Sequence, residues 1–285
     1  MKQKIISFGI TCYQENLEKI KKSINSLEDI ENKEIIIHID NNSELKNQIE
    51  SEFQHLKVIC SNENVGLGIS RNKIIDTASS RWIAFLDAGD EYNAQVVNKH
   101  IEFFETSKVD FINFQIETIK ENFNNFLTLS KSNYINALYT LNHRNMSQGT
   151  FYKIDYLVNN KIYYLNKNIY HEDLFFSLNV LSNTDNYFII SEKIYKWEQD
   201  DNKLSSSLNT KKINDLFILY KEKLNFYRNF SIHEKNLRLR TIYFYHVKFI
   251  NSRIRISKKY YYIFYCLIIY LRMYRLTLEM KKEYV

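Results

Sequence analysis

Over the first 117 residues, short β-branched apolar runs alternate with segments whose apolar residues recur at helical spacing, and each of the first four runs ends in a polar tip. Lys4 to Thr11 is the first run, and Asn16 to Leu27 then sets Leu17, Ile20, Ile24 and Leu27 on one helical face. Glu34 to Ile39, Leu56 to Cys60, Trp82 to Leu86 and Phe111 to Ile116 read as further strands. Glu44 to Phe53, Ile69 to Ala78 and Ala94 to Phe104 read as the helices between them. Strands separated by helices of roughly ten residues predict a mainly parallel sheet covered on both faces. Ligands of such sheets bind beyond the carboxyl ends of the strands. The tips are therefore where function is sought.

The four tips are Thr11-Cys12-Tyr13-Gln14-Glu15, Asp40-Asn41-Asn42-Ser43, Asn62 to Gly68, and Asp87-Ala88-Gly89-Asp90-Glu91. The chain has five glycines and no proline, where average usage would give roughly twenty and fourteen. Three of those glycines, Gly66, Gly68 and Gly89, lie in the tips. They point either to positive φ or close backbone approach to a ligand, or to plain turns.

Each tip has two readings. Asp87 and Asp90 could hold Mg²⁺ or Mn²⁺ through oxygen, or serve only as turn residues. Asp40 could accept a hydrogen bond from a base or sugar, with Asn42 or Ser43 capping the next helix as the alternative. Arg71, after the glycine loop, suits a phosphate, or an ordinary ion pair. Far downstream, Glu172 and Asp173 precede an apolar helical run. They suit a general base, or acids favoured by a helix dipole.

Taken in order, Ile10 to Tyr13, Asp40 to Ser43, Asn64 to Asn72, Phe85 to Asp90 and Glu172 to Leu174 form a series that resembles the family-2 glycosyltransferases of GT-A fold. Ser147 to Leu157 resembles the family's acceptor-side segment, and Tyr195 to Trp197 with Ser205-Ser206 resembles its usual ending. The resemblance covers residues 4–207. It implies an α/β fold with a Rossmann-like, mainly parallel sheet flanked by helices, and a C-terminal helical extension. The implied division is a catalytic domain over 1–208, with a nucleotide-sugar half (1–117) and an acceptor half (118–208), followed by an extension over 209–285.

The resemblance further implies a nucleotide-sugar donor, usually a UDP-sugar. Thr11, Tyr13, Glu15 and Asp40 match positions that hold the nucleoside, with Asp40 against the base. Asn64, Gly66, Arg71, Asp87 and Ala88 complete the donor side, Arg71 at the phosphates. Asp87 and Asp90 stand where the family's DXD motif meets ribose, diphosphate and a divalent cation, Mn²⁺ or Mg²⁺. Asp173 matches the catalytic base, with Glu172 beside it. Two departures stand out: Ile10-Thr11 replaces the usual Pro-Thr, and Gly89 replaces an acidic position that often ligates the metal. The implied activity is inverting transfer of one sugar to a glycan or lipid-linked acceptor in bacterial capsule, lipopolysaccharide or glycoprotein synthesis. A nucleotidyltransferase would favour a Gly-rich loop with a basic residue in the first motif, which Phe8 to Cys12 lacks. A non-catalytic binding module of the same fold would tolerate loss of Asp173, yet the Glu-Asp pair is intact.

Charge divides the chain. From Lys211 to Val285 there are 17 basic and 5 acidic residues, a net of +12, against −6 before it. Within this tail Tyr260 to Leu271 is almost wholly aromatic or aliphatic, too short to span a bilayer. Basic residues between 253 and 275 bracket it, which suits an anionic membrane surface, or equally a helix packed on protein. No nucleic-acid-binding motif accompanies the basic stretch, so nucleic acid is not an expected partner. Cys12, Cys60 and Cys266 are odd in number and far apart, and the amino terminus is too polar for a signal peptide. The expected location is the cytoplasm, with peripheral attachment to the membrane's inner face.

Overall fold

The computed structural model describes residues 4–117, 147–170, 172–198, 210–227 and 271–279. The expected elements of residues 118–146, His171, Ser205-Ser206 and most of the aromatic tail (251–270) lie outside the described residues.

The predicted alternation is present. Strands β1 (Ile6–Cys12), β2 (Lys33–Asp40), β3 (Lys57–Ser61) and β4 (Trp82–Asp87) alternate with helices α1 (Leu17–Glu28), α2 (Ser43–Glu52) and α3 (Leu67–Thr77). Local chemistry sets the helix starts: Asn16 and Asn42 accept from the N–H groups of Lys19 and Leu45, each satisfying an orphan donor of the first turn. β1, β2, β3 and β4 pair in parallel, and every residue of β1 is buried, as two-sided cover requires.

The predicted helix over 94–104 is instead two short ones, α4 (Ala94–Lys99) and α5 (Ile101–Thr106), interrupted at His100. The His100 ring is held by Glu192 at 2.8 Å and lies against Phe114. Three strands went unforeseen: β5 (Glu91–Tyr92), β7 (Thr150–Lys153) and β8 (Tyr187–Lys196), beside the expected β6 (Phe111–Ile116). The eight strands run in the order β3-β2-β1-β4-β7-β6-β8-β5. β7 is antiparallel to both β4 and β6, while β6 and β8 are parallel with a shifted register. Further helices among the described residues are α6 (Ile154–Asn159), α7 (Glu172–Ser182) and α8 (Thr210–Tyr227), with a helical stretch over 271–279.

One face of the sheet packs Phe8, Ile10, Ile37 and Ile39 with Ile20, Ile24 and Leu27 of α1. An aromatic cluster of Tyr92, Phe104, Phe114 and Phe151 continues that core. α3 covers the other face, with Ile74 and Ile75 buried.

Contacts group the chain into two units, one of residues 1–129, 145–168 and 179–199, the other of 130–144, 169–178 and 200–285. The first holds the whole sheet. In the second, described residues of α8 and the helical stretch 271–279 meet where the Tyr220 hydroxyl contacts the Thr277 hydroxyl. Among the described residues no helix is long and apolar enough to cross a membrane.

Candidate active site

Because β1, β2 and β4 run parallel, Thr11, Asp40 and Asp87 leave the sheet at one edge, and Thr11 lies in register beside both His38 and Asp87. Asn42 caps α2, which leaves Asp40 to the glycine loop. Asp40 is buried, and its two carboxylate oxygens accept from the N–H groups of Val65 and Gly66, each at 2.9 Å. Gly66 has φ +86° and ψ 161°, a region open essentially to glycine alone. A Cβ there would also meet Asn168 Oδ1 at 2.6 Å. Asn168 donates to Asn64 Oδ1 at 3.0 Å, so Asn64 and Gly66 are held between Asp40 and the strap 162–168.

Arg71 lies beneath this loop, 1% exposed. Its guanidinium donates to Asp87 Oδ1 at 2.9 Å, and sits 5.6 Å and 5.3 Å from the ring centres of Phe85 and Tyr164. Gln148 donates to the other oxygen, Asp87 Oδ2, at 2.9 Å. Asn72 makes a two-way amide bridge to the main chain of Tyr164, at 3.0 Å and 2.9 Å, fastening the strap to α3. Arg71 thus orients Asp87. Gln148, Tyr164, Asn168 and Tyr195 belong to the candidate site without having been singled out from the sequence. Gln148 and Tyr195 left a trace, each inside a segment that resembles the family, and Gln148 stands next to Gly149, one of the chain's five glycines, with φ +67°.

The remaining expected donor residues are local. Thr11 is buried, and Tyr13 N–H donates to Glu15 Oε2 at 2.6 Å, closing the turn after β1. Ala88 is half-buried on the β4 turn. Cys12 is buried, and burial, then the nearby Glu15 and Asp87 carboxylates, push its thiol well above the usual range. It is a neutral thiol, not a nucleophile.

A cation held directly by Asp87 and Asp90 does not fit these residues. Asp90 is 4% exposed, with Oδ2 accepting from the Tyr195 hydroxyl at 2.5 Å and Oδ1 from Glu198 N–H at 2.8 Å. Gly89 has no side chain, and the space a Cβ would take is filled by Glu198 Oε2. Glu198 itself pairs with Lys19 and Lys22, each at 3.4 Å. Among the described residues no group of three or more His, Cys, Asp and Glu side chains is placed to hold a metal. Asp87 alone of the expected pair reaches solvent, and Arg71 already pairs with it.

Glu172 and Asp173 open α7, where acids are favoured by the helix dipole; Glu172 is buried and Asp173 half-buried. They belong to the second unit together with α8.

The architecture has counterparts among known proteins. Residues 7–170 match the model of glycosyl transferase family 2. The chain is 26% identical over 265 residues to the uncharacterized glycosyltransferase MJ1057 of Methanocaldococcus jannaschii, covering 87% of each. It is 31% identical over 64 residues to TuaG of Bacillus subtilis, a glycosyltransferase assigned provisionally to teichuronic acid biosynthesis; that match covers 22% of this chain and 25% of TuaG. The crystal structure of S. aureus TarS 1–349 in complex with UDP-GlcNAc superimposes with a TM-score of 0.61 at 19% identity, over 77% of this chain and 67% of that one. That likeness carries the α/β fold with its helix-flanked central sheet, the GT-A architecture expected from the motifs. With the family model matching more than half of its length, the chain belongs to glycosyl transferase family 2 and is a glycosyltransferase of GT-A fold.

Proposed function

We propose that the enzyme transfers one sugar from a UDP-sugar to a hydroxyl of a glycan or lipid-linked acceptor in bacterial surface-polysaccharide synthesis, with inversion. The observation that carries this reading is the edge where Thr11, Asp40, the Gly66 loop and the Arg71–Asp87 pair converge beyond parallel strands. It is supported by the TarS neighbour, which was solved with UDP-GlcNAc, and by the provisional role of TuaG in a surface polymer.

Asp40 keeps lone pairs beyond the two used by the loop, and these accept from the base. Asp87, oriented by Arg71 and Gln148, accepts from the ribose hydroxyls. On the acceptor side Asp173 takes the hydroxyl proton as that oxygen attacks the anomeric carbon. The bond to the nucleoside diphosphate breaks on the opposite face, and the electron pair leaves with the diphosphate. No step is assigned to a metal held by Asp90. The basic charge of segment 253–275 supports attachment to an anionic membrane surface, read by salt-sensitive flotation of the whole chain with anionic vesicles and not with zwitterionic ones; absence of flotation would leave the segment as a helix packed on protein.

The deciding experiment pairs calorimetric binding of UDP, CDP and GDP with turnover of an Asp173→Asn variant. UDP-selective binding that survives Asp173→Asn, with transfer abolished, is the expected result. A fully active variant removes Asp173 as the base, and absence of nucleotide binding removes the donor reading.

A further inference from the structure

The segment that enters α7 is tied down by residues that lie beyond the family match, which ends at residue 170. Tyr170 N–H donates to Asp215 Oδ2 at 3.1 Å. Lys211 Nζ reaches the same oxygen at 3.1 Å, one helical turn earlier on α8. The Tyr170 ring lies under two cations, with Lys211 Nζ 4.7 Å and Lys212 Nζ 4.9 Å from its centre. Asp215 is 4% exposed and Lys212 is 5% exposed, so the Tyr170–Asp215 hydrogen bond and the Lys212–ring contact form largely out of water, where charge-assisted and cation–π attractions are strongest, while the Lys211 side chain is half exposed. The contact grouping agrees: 169–178 belong with 200–285.

We propose that Asp215, Lys211 and Lys212 are positioning residues for the Glu172–Asp173 motif, so that α8 completes the acceptor-side machinery and is no appendage to it. This rests on the reading of Asp173 as the base. Asp173 follows Tyr170 by three residues, and each residue between them has only two soft dihedrals. Holding the main chain and the ring of Tyr170 therefore restricts where α7 begins and how its first turn points. A displacement of roughly 1 Å at a reacting group costs about a hundredfold in rate.

The test compares Asp215→Ala and Asp215→Asn in the full chain. Amide hydrogen exchange is read over 169–178 and, as a control, over 33–61. UDP affinity and the rate of UDP release from UDP-GlcNAc are read alongside. Asp215→Ala should speed exchange in 169–178 at least tenfold and leave 33–61 unchanged. It should slow UDP release tenfold or more with UDP affinity held within twofold. Asp215→Asn keeps an oxygen that accepts from Tyr170 N–H and should recover most of both effects. Wild-type exchange over 169–178 in Asp215→Ala, or equal loosening of 33–61, overturns the proposal. If Asp173→Asn proves active, the base reading falls, while the exchange comparison still decides the positioning.

Discussion

The Tyr195 hydroxyl donates to Asp90 Oδ2 at 2.5 Å across 105 residues of chain, and accepts from Asp87 N–H at 3.3 Å. One phenol thereby closes the turn that carries the expected donor carboxylates. Burial, then the charges of Asp87 and Asp90, push the Tyr195 hydroxyl well above its ordinary range, so it stays a donor. Tyr195→Phe should remove a donor from a buried carboxylate oxygen and cost about 1–3 kcal/mol, read as a lower urea midpoint. Asp90→Asn should likewise lower stability while leaving any Mn²⁺ enhancement of UDP binding intact. Loss of that enhancement with stability unchanged would make Asp90 a ligand after all.

Gly66→Ala should be the most damaging small substitution in the donor loop. It combines a glycine-only backbone region, costing about 1–3 kcal/mol, with a 2.6 Å approach to Asn168 Oδ1. Asp40→Asn should release one of the two loop N–H bonds and weaken UDP binding by roughly tenfold. Calorimetric titration of both variants with UDP checks this, and wild-type affinity in Asp40→Asn would detach Asp40 from the donor.

Arg71→Ala should cost on the order of 3 kcal/mol, because it unpairs Asp87 and empties a cavity between aromatic rings. The figure is discounted within the usual range because Asp87 is 34% exposed. Arg71→Lys retains the charge but loses the planar fork and its stacking, and should fall between wild type and Arg71→Ala. Urea midpoints of the three proteins decide the order.

His38 predicts an acid-sensitive window. Its ring is buried, with Nε2 2.9 Å from Ser61 Oγ, which also accepts from Lys73 Nζ at 2.7 Å. The other ring nitrogen, Nδ1, is buried with no hydrogen-bond partner among the described residues, so the doubly protonated ring would carry an unsatisfied buried N–H. Burial first, then the Lys73 charge, lower the His38 pKa to about 4, against a smaller opposing pull from Asp40. Below about pH 6.5 the unfolded chain takes up a proton that the folded chain refuses. Stability should fall by about 2 kcal/mol from pH 7 to pH 5, and His38→Gln should flatten that slope. Glu34 acts in a lower window. Its burial is outweighed by Lys57, Ser79 and Ser7, which lower its pKa to about 2. Its contribution is complete above about pH 4.5 and is lost as pH falls toward 2.

Local signals made the first half of the sheet readable. β-branched runs, helical spacing, and Asn16 and Asn42 at their caps act within a few residues, so β1 to β4 and α1 to α3 fall where the pattern puts them. Gly66 and Gly89 were legible for the same reason, since positive φ leaves its mark on the residue itself. What lay beyond reach depends on partners far apart in the chain. β7 enters between β4 and β6 through ladders that join Trp82 to Lys153 and Phe111 to Tyr152. The break at His100 answers to Glu192. Motif order identified Arg71, Asp87 and Asp90 as important, but not that Arg71 is spent on Asp87 or Asp90 on Tyr195. A carboxylate's role is set by which donors reach its two oxygens. For these residues the donors come from α3, β8 and the main chain of Glu198, which only the folded chain brings together.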